Sequence, residues 1–277
     1  MPSKIQIAYE KSFVAFIDVL GFTNIVNNQT SDGVKKLNKY FNVISEEISK
    51  LKQIYAKKKI GYITISDSII LTLPEASNRN ENINNLRQLC IAVGKIQKSL
   101  AIADIWVRGA IAFGDTYFDP EHNQIVGPAY IAAYNLEGTL AKYPRVIIDN
   151  KIITHLEFEN AKQLIMEING YNSSFNYQGY NDWGSSVLFH WEQRNGNTNI
   201  VLQDIPLFID YLCPINEGDE DDLITIIDNI AKNIYYDTKQ YEKYHWVANY
   251  LKTIFLPSSI PLSRNKRKDA ENKLNSL

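Results

Sequence analysis

Two aspartates carry the first chemical signal in the chain. Asp18 lies inside the string Phe16-Ile17-Asp18-Val19-Leu20-Gly21-Phe22-Thr23, an apolar run broken by one acid. Burying a carboxylate there is costly unless a cation or several donors satisfy it. Gly21 lets the chain turn sharply, so the amides that follow can point at an anion near a helix start. Asp67 follows forty-nine residues later in Ile65-Ser66-Asp67-Ser68, between two short apolar runs that read as a hairpin. Taken singly, Asp18 can equally cap the next helix, and Asp67 can be an ordinary turn acid. Brought together, they would repel unless hard cations bridge them, and oxygen-only ligation suits Mg²⁺ or Mn²⁺.

The elements that must position these acids follow from hydrophobic periodicity. Residues 12–20 predict a buried strand. Val34, Leu37, Tyr40, Phe41, Ile44, Ile48, Leu51 and Tyr55 mark one face of a helix. Strands are predicted at 62–65 and 69–73, and a polar, Asn-rich loop at 77–85. A helix at 86–103, a strand at 105–113, a helix at 129–141 and a strand at 146–149 come next. The order βαββαβ predicts an α+β fold of ferredoxin-like type, with a mostly antiparallel sheet and helices on one face. Residues 171–199 read as a long polar excursion, with helices following near 222–236 and 239–255. The expected organisation is an N-terminal segment over 1–11, a catalytic domain over 12–215, a helical extension over 216–256 and a charged, frayed tail over 257–277.

The chain has 277 residues, 45% of them hydrophobic, and a net charge of −2, so no overall basic field for nucleic acid is present. Its two cysteines, Cys90 and Cys213, sit in apolar surroundings and suit a reducing cytosol. Neither a signal peptide nor a membrane-length apolar run is read, so the expected location is cytoplasmic. The four histidines are scattered, and no Ser/His/Asp or Cys/His grouping stands out.

Several blocks, in order, resemble the class III nucleotidyl cyclase family. Its first metal motif, Phe-x-Asp-x-x-Gly-Phe-Thr, is matched by Phe16, Asp18, Gly21, Phe22 and Thr23, and its second acid by Asp67, with Ser66 in place of the usual glycine. Val107-Arg108-Gly109-Ala110-Ile111-Ala112-Phe113-Gly114 resembles the Arg-x-Gly-Ile-x-x-x-Gly strand, and Gly127, Ala132-Ala133 and Leu136-Glu137 resemble the helix after it. The resemblance implies that Asp18, the Val19 carbonyl and Asp67 hold two Mn²⁺ or Mg²⁺ ions per site, while the Gly21-Phe22-Thr23 amides hold phosphate oxygens. It also implies attack of a ribose 3′-hydroxyl on the α-phosphorus of a nucleoside triphosphate, with loss of pyrophosphate.

The departures matter as much as the matches. The family's transition-state asparagine and arginine fall on Ile131 and Asn135. Arg108, Arg145 and Asn135 remain as donors for the α-phosphate. Arg108 is favoured because it opens a matched strand, although it can instead cover the sheet edge. The positions that read a purine are Ile63 and Gln124, which leaves no polar reader of adenine. In this respect the chain resembles the pyrimidine cyclases of Pycsar anti-phage systems. They share the Phe-Ile-Asp opening, an Asp-Ser hairpin, Tyr143-Pro144-Arg145, Asp210-Tyr211-Leu212 and Lys243-Tyr244-x-Trp246.

That likeness implies UTP as substrate, with CTP as the alternative, and a cyclic nucleotide read by a separate effector. Tyr40 is then placed either against the base or within its helix's apolar stripe. One catalytic domain per chain implies a homodimer with composite sites, while the balanced charge and the lack of a membrane-length apolar run give the expectation of neither nucleic acid nor membrane as partner. A cyclase-like module that only senses nucleotides is the reading from another class. A palm-type polymerase or dinucleotide cyclase is disfavoured because no Gly-Gly-Asp/Glu-Glu-Phe string is present.

Overall fold

The computed structural model describes residues 6–54, 60–174, 183–189, 207–236, 238–255 and 264–277. The apolar run around Asp18 forms strand β1 (Glu10–Val19), and Gly21 turns the chain into the short helix α1 (Phe22–Asn27) and the long helix α2 (Ser31–Ile54). Strands β2 (Gly61–Ile65) and β3 (Ser68–Pro74) make the predicted hairpin. Helix α3 (Arg79–Ile102) leads into β4 (Val107–Asp119), which folds back on β5 (Gln124–Val126). Helix α4 (Pro128–Thr139) and strand β6 (Val146–Ile148) follow. Then come α5 (Asn150–His155), α6 (Ala161–Ser174), β7 (Leu188–Phe189), β8 (Phe208–Ile209) and α7 (Cys213–Asn216). Helices α8 (Glu220–Ile234), α9 (Thr238–Ile254) and α10 (Arg264–Asn275) end the chain.

Among the described residues, the strands form one sheet in the order β2-β3-β1-β4-β6-β8-β7. The first four pair antiparallel, as the ferredoxin-like reading requires, and β6 joins β4 in parallel. The fold is therefore α+β with a mostly antiparallel sheet. Alternation along β1 divides its side chains between two cores. Phe13, Ala15 and Ile17 face α3 and the main core, while Val14 and Phe16 face the other way with Ile63, Ile70, Ala112, Ala129 and Ala133. The helices thus do not all lie on one face, as the sequence reading expected. α4 covers the opposite side, and small alanines let it approach the sheet closely.

Two further expectations are corrected. The stretch 77–85, read as a loop for its asparagines, is mostly helix. Asn78 caps α3 by accepting the Glu81 N–H at 2.9 Å, and Asn82 and Asn85 are buried. Asn82 accepts the Ala76 N–H at 2.7 Å, so these amides satisfy the backbone leaving β3 rather than breaking the helix. The tail read as frayed contains α10. Its Arg267, Ala270 and Leu274 are buried, while Lys266 and Lys273 pair with Asp221 and Asp228 of α8, each at 2.7 Å. Charge on the outer faces masked a narrow inner stripe. Most of 171–199 lies outside the described residues.

Residues of α8, α9 and α10 belong to the same hydrophobic cluster as the sheet. Among the described residues no helix is long and apolar enough to cross a membrane.

Candidate active site

β1 is the centre of the site because it is paired on both sides. Across it, Asp18 stands opposite Ser68 of β3 and opposite Arg108 of β4. Gly109 allows that close pairing, since a Cβ there would lie 2.2 Å from the Phe16 carbonyl oxygen. The Ser68 hydroxyl donates to Asp18 Oδ1 at 3.4 Å, and Asp67, the residue before Ser68, occupies the hairpin turn. The two acids separated in sequence are thus neighbours in space. Burial, then Asp67, then Glu137 push the Asp18 carboxyl up to about 6, against the opposing pull of Arg108 and the Ser68 hydroxyl.

Glu137 was not among the residues assigned a role from the sequence. It lies on α4 at four-residue intervals from Ala129 and Ala133, so the face that packs on the sheet carries one acid toward the strand end. Its Oε1 lies 2.5 Å from Arg108 Nε. Burial raises its pKa, as Asp67 does, while Arg108 lowers it. An acid in third place of a four-residue spacing that begins with two alanines was the available signal.

The hairpin turn is held from below. Ser66 has φ +56°, a left-handed conformation that favours glycine. The Tyr40 hydroxyl donates to the Ser66 carbonyl at 3.3 Å. Tyr40 is only 1% exposed and packs edge-on against Phe22. Its ring is packed inside the protein. It belongs to the apolar stripe of α2 and supports the turn that presents Asp67. Burial, Asp67 and Asp18 all raise its hydroxyl pKa.

Gly21 adopts φ 72°, and its carbonyl accepts the Asn24 N–H at 2.9 Å, which starts α1. The amides of Phe22 and Thr23 open that helix and have no acceptor within it. Thr23 is exposed and Phe22 half-buried. Val19 is buried opposite Val107, and the Leu20 N–H donates to the Trp106 carbonyl at 2.8 Å, which fixes the strand exit.

Two candidate donors are not brought to the carboxylates. Asn135 is exposed on α4, about 160° around the helix from Glu137, in a shallow groove with Ile131, Thr139, Asp149 and Lys151. Within one chain it cannot share the face that meets Asp18. Arg145 is 1% exposed and lies over the rings of Tyr143, Trp246 and Phe208 at 5.2–5.7 Å, so it is a packing cation. Arg108, half-buried at the strand end, is the guanidinium that the structure does place beside Asp18. A cleft of about 440 Å³ lined by Ser12, Tyr62, Thr72, Thr116 and Phe118 lies at the other end of the sheet, where β1 begins.

Three carboxylates, Asp18, Asp67 and Glu137, thus meet one guanidinium, which is already paired with Glu137. Negative charge in excess, presented by hard oxygen atoms, fits divalent cations of the Mg²⁺ and Mn²⁺ type. Among the described residues, no group of three or more His, Cys, Asp or Glu side chains could hold a metal on protein ligands alone. A cation at Asp18 and Asp67 would take further ligands from backbone, water or a bound phosphate, as Mg²⁺ commonly does.

No family model and no curated protein matches the chain. Among solved structures it is distantly similar to the adenylyl cyclase CyaB from P. aeruginosa, at 13% identity and a TM-score of 0.43, covering 74% of this chain and 95% of that one. It is similar also to the guanylyl cyclase Cya2, at 12% identity and a TM-score of 0.42 over 74% and 93% of the two chains. A third similar structure is the catalytic core of a rhodopsin-guanylyl cyclase with converted specificity, in complex with ATPαS, at 13% identity and a TM-score of 0.42 over 72% and 94%.

Proposed function

We propose that the chain is a nucleotidyl cyclase that closes a nucleoside triphosphate into its 3′,5′-cyclic monophosphate with release of pyrophosphate. The observation that carries this reading is the meeting of Asp18 and Asp67 at one strand end, close enough for Asp67 to add to the burial that raises the Asp18 carboxyl. Like charges are held together at a cost, and a bound cation offsets it.

Asp18, Asp67 and the Val19 carbonyl are the ligands we assign to two Mg²⁺ or Mn²⁺ ions. When bound, such ions make the 3′-hydroxyl more acidic and neutralise phosphate charge. The chain's own residues do the rest. The Gly21-Phe22-Thr23 amides face the phosphates at the start of α1, and Arg108 supplies a guanidinium where charge accumulates on the α-phosphate. Glu137 orients Arg108 through its Nε and leaves the terminal nitrogens for substrate. Tyr40 and Ser66 hold Asp67 in place.

A pyrimidine triphosphate, UTP ahead of CTP, is the proposed substrate. Ile63 stands where a purine-reading lysine is expected and is buried in the α4-side core, offering no polar group to a base. The proposed active form is a homodimer with composite sites, in which Asn135 serves the partner's site. Ile131 and Tyr134, about half exposed beside it, favour such a contact. We further propose a cytoplasmic role in anti-phage defence, with the cyclic nucleotide read by a separate effector.

The test is incubation of the purified chain with Mn²⁺ and each of the four ribonucleoside triphosphates, with products identified by mass spectrometry. Cyclic UMP or cyclic CMP alone supports the proposal. Cyclic AMP overturns the pyrimidine assignment, and absence of any cyclic product overturns the activity.

A further inference from the structure

α9, which the sequence reading set apart as an extension, brings its first two turns to the carboxylate end of the sheet. Gln240 Nε2 would be 3.9 Å from a Cβ at Gly21. The Tyr244 ring meets Trp106 edge-on at 5.7 Å, and Trp106 directly precedes the strand that carries Arg108. Val247, one turn further, is fully buried. Residues 240, 243, 244 and 247 share one helix face, so the face that meets Gly21 and Trp106 also carries Lys243.

Lys243 is half-buried, and its ammonium lies within electrostatic reach of the Arg108 guanidinium. Among the described residues no carboxylate or hydrogen-bond partner compensates it. The nearby lysines differ: Lys36 and Lys232 both reach Asp104, at 3.3 and 3.0 Å. Two cations set side by side out of bulk water repel each other and lose hydration. Arg108 already has Glu137 as its partner, whereas an anion with several oxygens lying between the two cations would also compensate Lys243.

We propose that Lys243 binds substrate directly, forming with Arg108 a two-cation seat for the polyphosphate of the nucleotide, so that α9 is part of the active site. The identity of the anion rests on the cyclase reading above; the seat itself rests on the placement of α9. Lys243 is a point charge on a flexible stem and suits the terminal phosphates, whereas the Arg108 fork, fixed by Glu137, sits nearer the reacting end.

The test uses the full chain titrated calorimetrically with inorganic tripolyphosphate and Mg²⁺. Lys243→Ala is expected to weaken binding about tenfold or more, Lys243→Arg to restore most of it, and Lys252→Ala, elsewhere on α9, to leave it unchanged. Melting temperatures of all three should stay near the wild type, and in turnover Lys243→Ala should raise KM more than it lowers kcat. If wild type binds tripolyphosphate in the expected order but forms no cyclic nucleotide, the cyclase reading fails and the seat stands. If wild type cyclises a triphosphate while Lys243→Ala binds tripolyphosphate within twofold of wild type, the seat is wrong and the cyclase reading stands. Absence of tripolyphosphate binding by wild type also overturns the seat.

Discussion

Replacing Asp18 by asparagine should make the metal-free protein more stable at neutral pH while destroying its activity. Asp18 is lifted from an ordinary 3.8 to about 6, first by burial and then by Asp67 and Glu137. The native state therefore binds this proton more tightly than the unfolded chain does. The contribution to stability is fully present below pH 3.8 and is lost as pH rises through about 6. Taken at face value, the difference is roughly 3 kcal/mol at pH 7. Because the residue is only half-buried, solvent screening reduces it to about 1–2 kcal/mol, or roughly 2–8 °C in melting temperature.

Denaturant unfolding with EDTA at pH 7.5 should show Asp18→Asn more stable than wild type by that margin. At pH 4.5, where the native carboxyl is protonated, the margin should shrink by more than half. Millimolar Mn²⁺ should then stabilise the wild type and leave the variant unmoved, which reverses their order. A variant less stable than wild type at pH 7.5 without metal, or one with the same advantage at both pH values, would refute the reasoning.

Asp67→Asn should abolish cyclic nucleotide formation with the fold retained, and should lower the Asp18 pKa, which carbon-13 NMR of the labelled carboxyl can follow. Tyr40→Phe removes the hydroxyl that donates to the Ser66 carbonyl; a loss of about 1 kcal/mol in stability and a lower kcat are expected, and unchanged kcat would separate the turn from catalysis. Glu137→Gln should keep the fold but lower kcat by freeing Arg108, while its effect on KM stays small; steady-state kinetics reads both. Arg267→Ala should release α10, because Arg267 donates to the Asn216 carbonyl at 3.1 Å and to its Oδ1 at 2.8 Å from a buried position; limited proteolysis should then cut within 264–277, and continued protection would show that the helix holds without it.

The sequence made some of this legible because certain residues are constrained locally. An acid ending an apolar strand, a glycine after it and an acid in a tight turn are set by neighbours within a few positions, and so were Asp18, Gly21 and Asp67. What lay beyond reach depended on distant partners. The spacing of Glu137 after Ala129 and Ala133 marks a helix face but not the Arg108 it meets, and Lys243 stands out only within Lys243-Tyr244-x-Trp246, with no sign that α9 comes up to Gly21 and Trp106. Tyr40 had two readings, and only the depth of α2 against the hairpin decides between them. The asparagines of 78–85 misled because they have low helix propensity, yet their side chains bind backbone that the sequence does not show beside them. The charges of 264–277 hid a helix for a similar reason, since their partners lie on α8.

Asp104 gives α8 a consequence of its own. It sits in a left-handed turn at the end of α3, and its carboxylate gathers Lys36, Lys232, Asn233 and the Trp106 indole N–H at 2.7–3.3 Å. Burial alone would raise its pKa, but the two lysines outweigh it and hold the carboxyl below the usual range. Asn229 meanwhile covers the Ala101 and Ile102 carbonyls. A gene fragment ending before residue 220 would strip away Lys232, Asn229 and Asn233 together, leaving an acid and two carbonyls without these partners beside the strand that bears Arg108. The C-terminal helices thus complete the polar contacts of the sheet's own connection rather than merely flanking it.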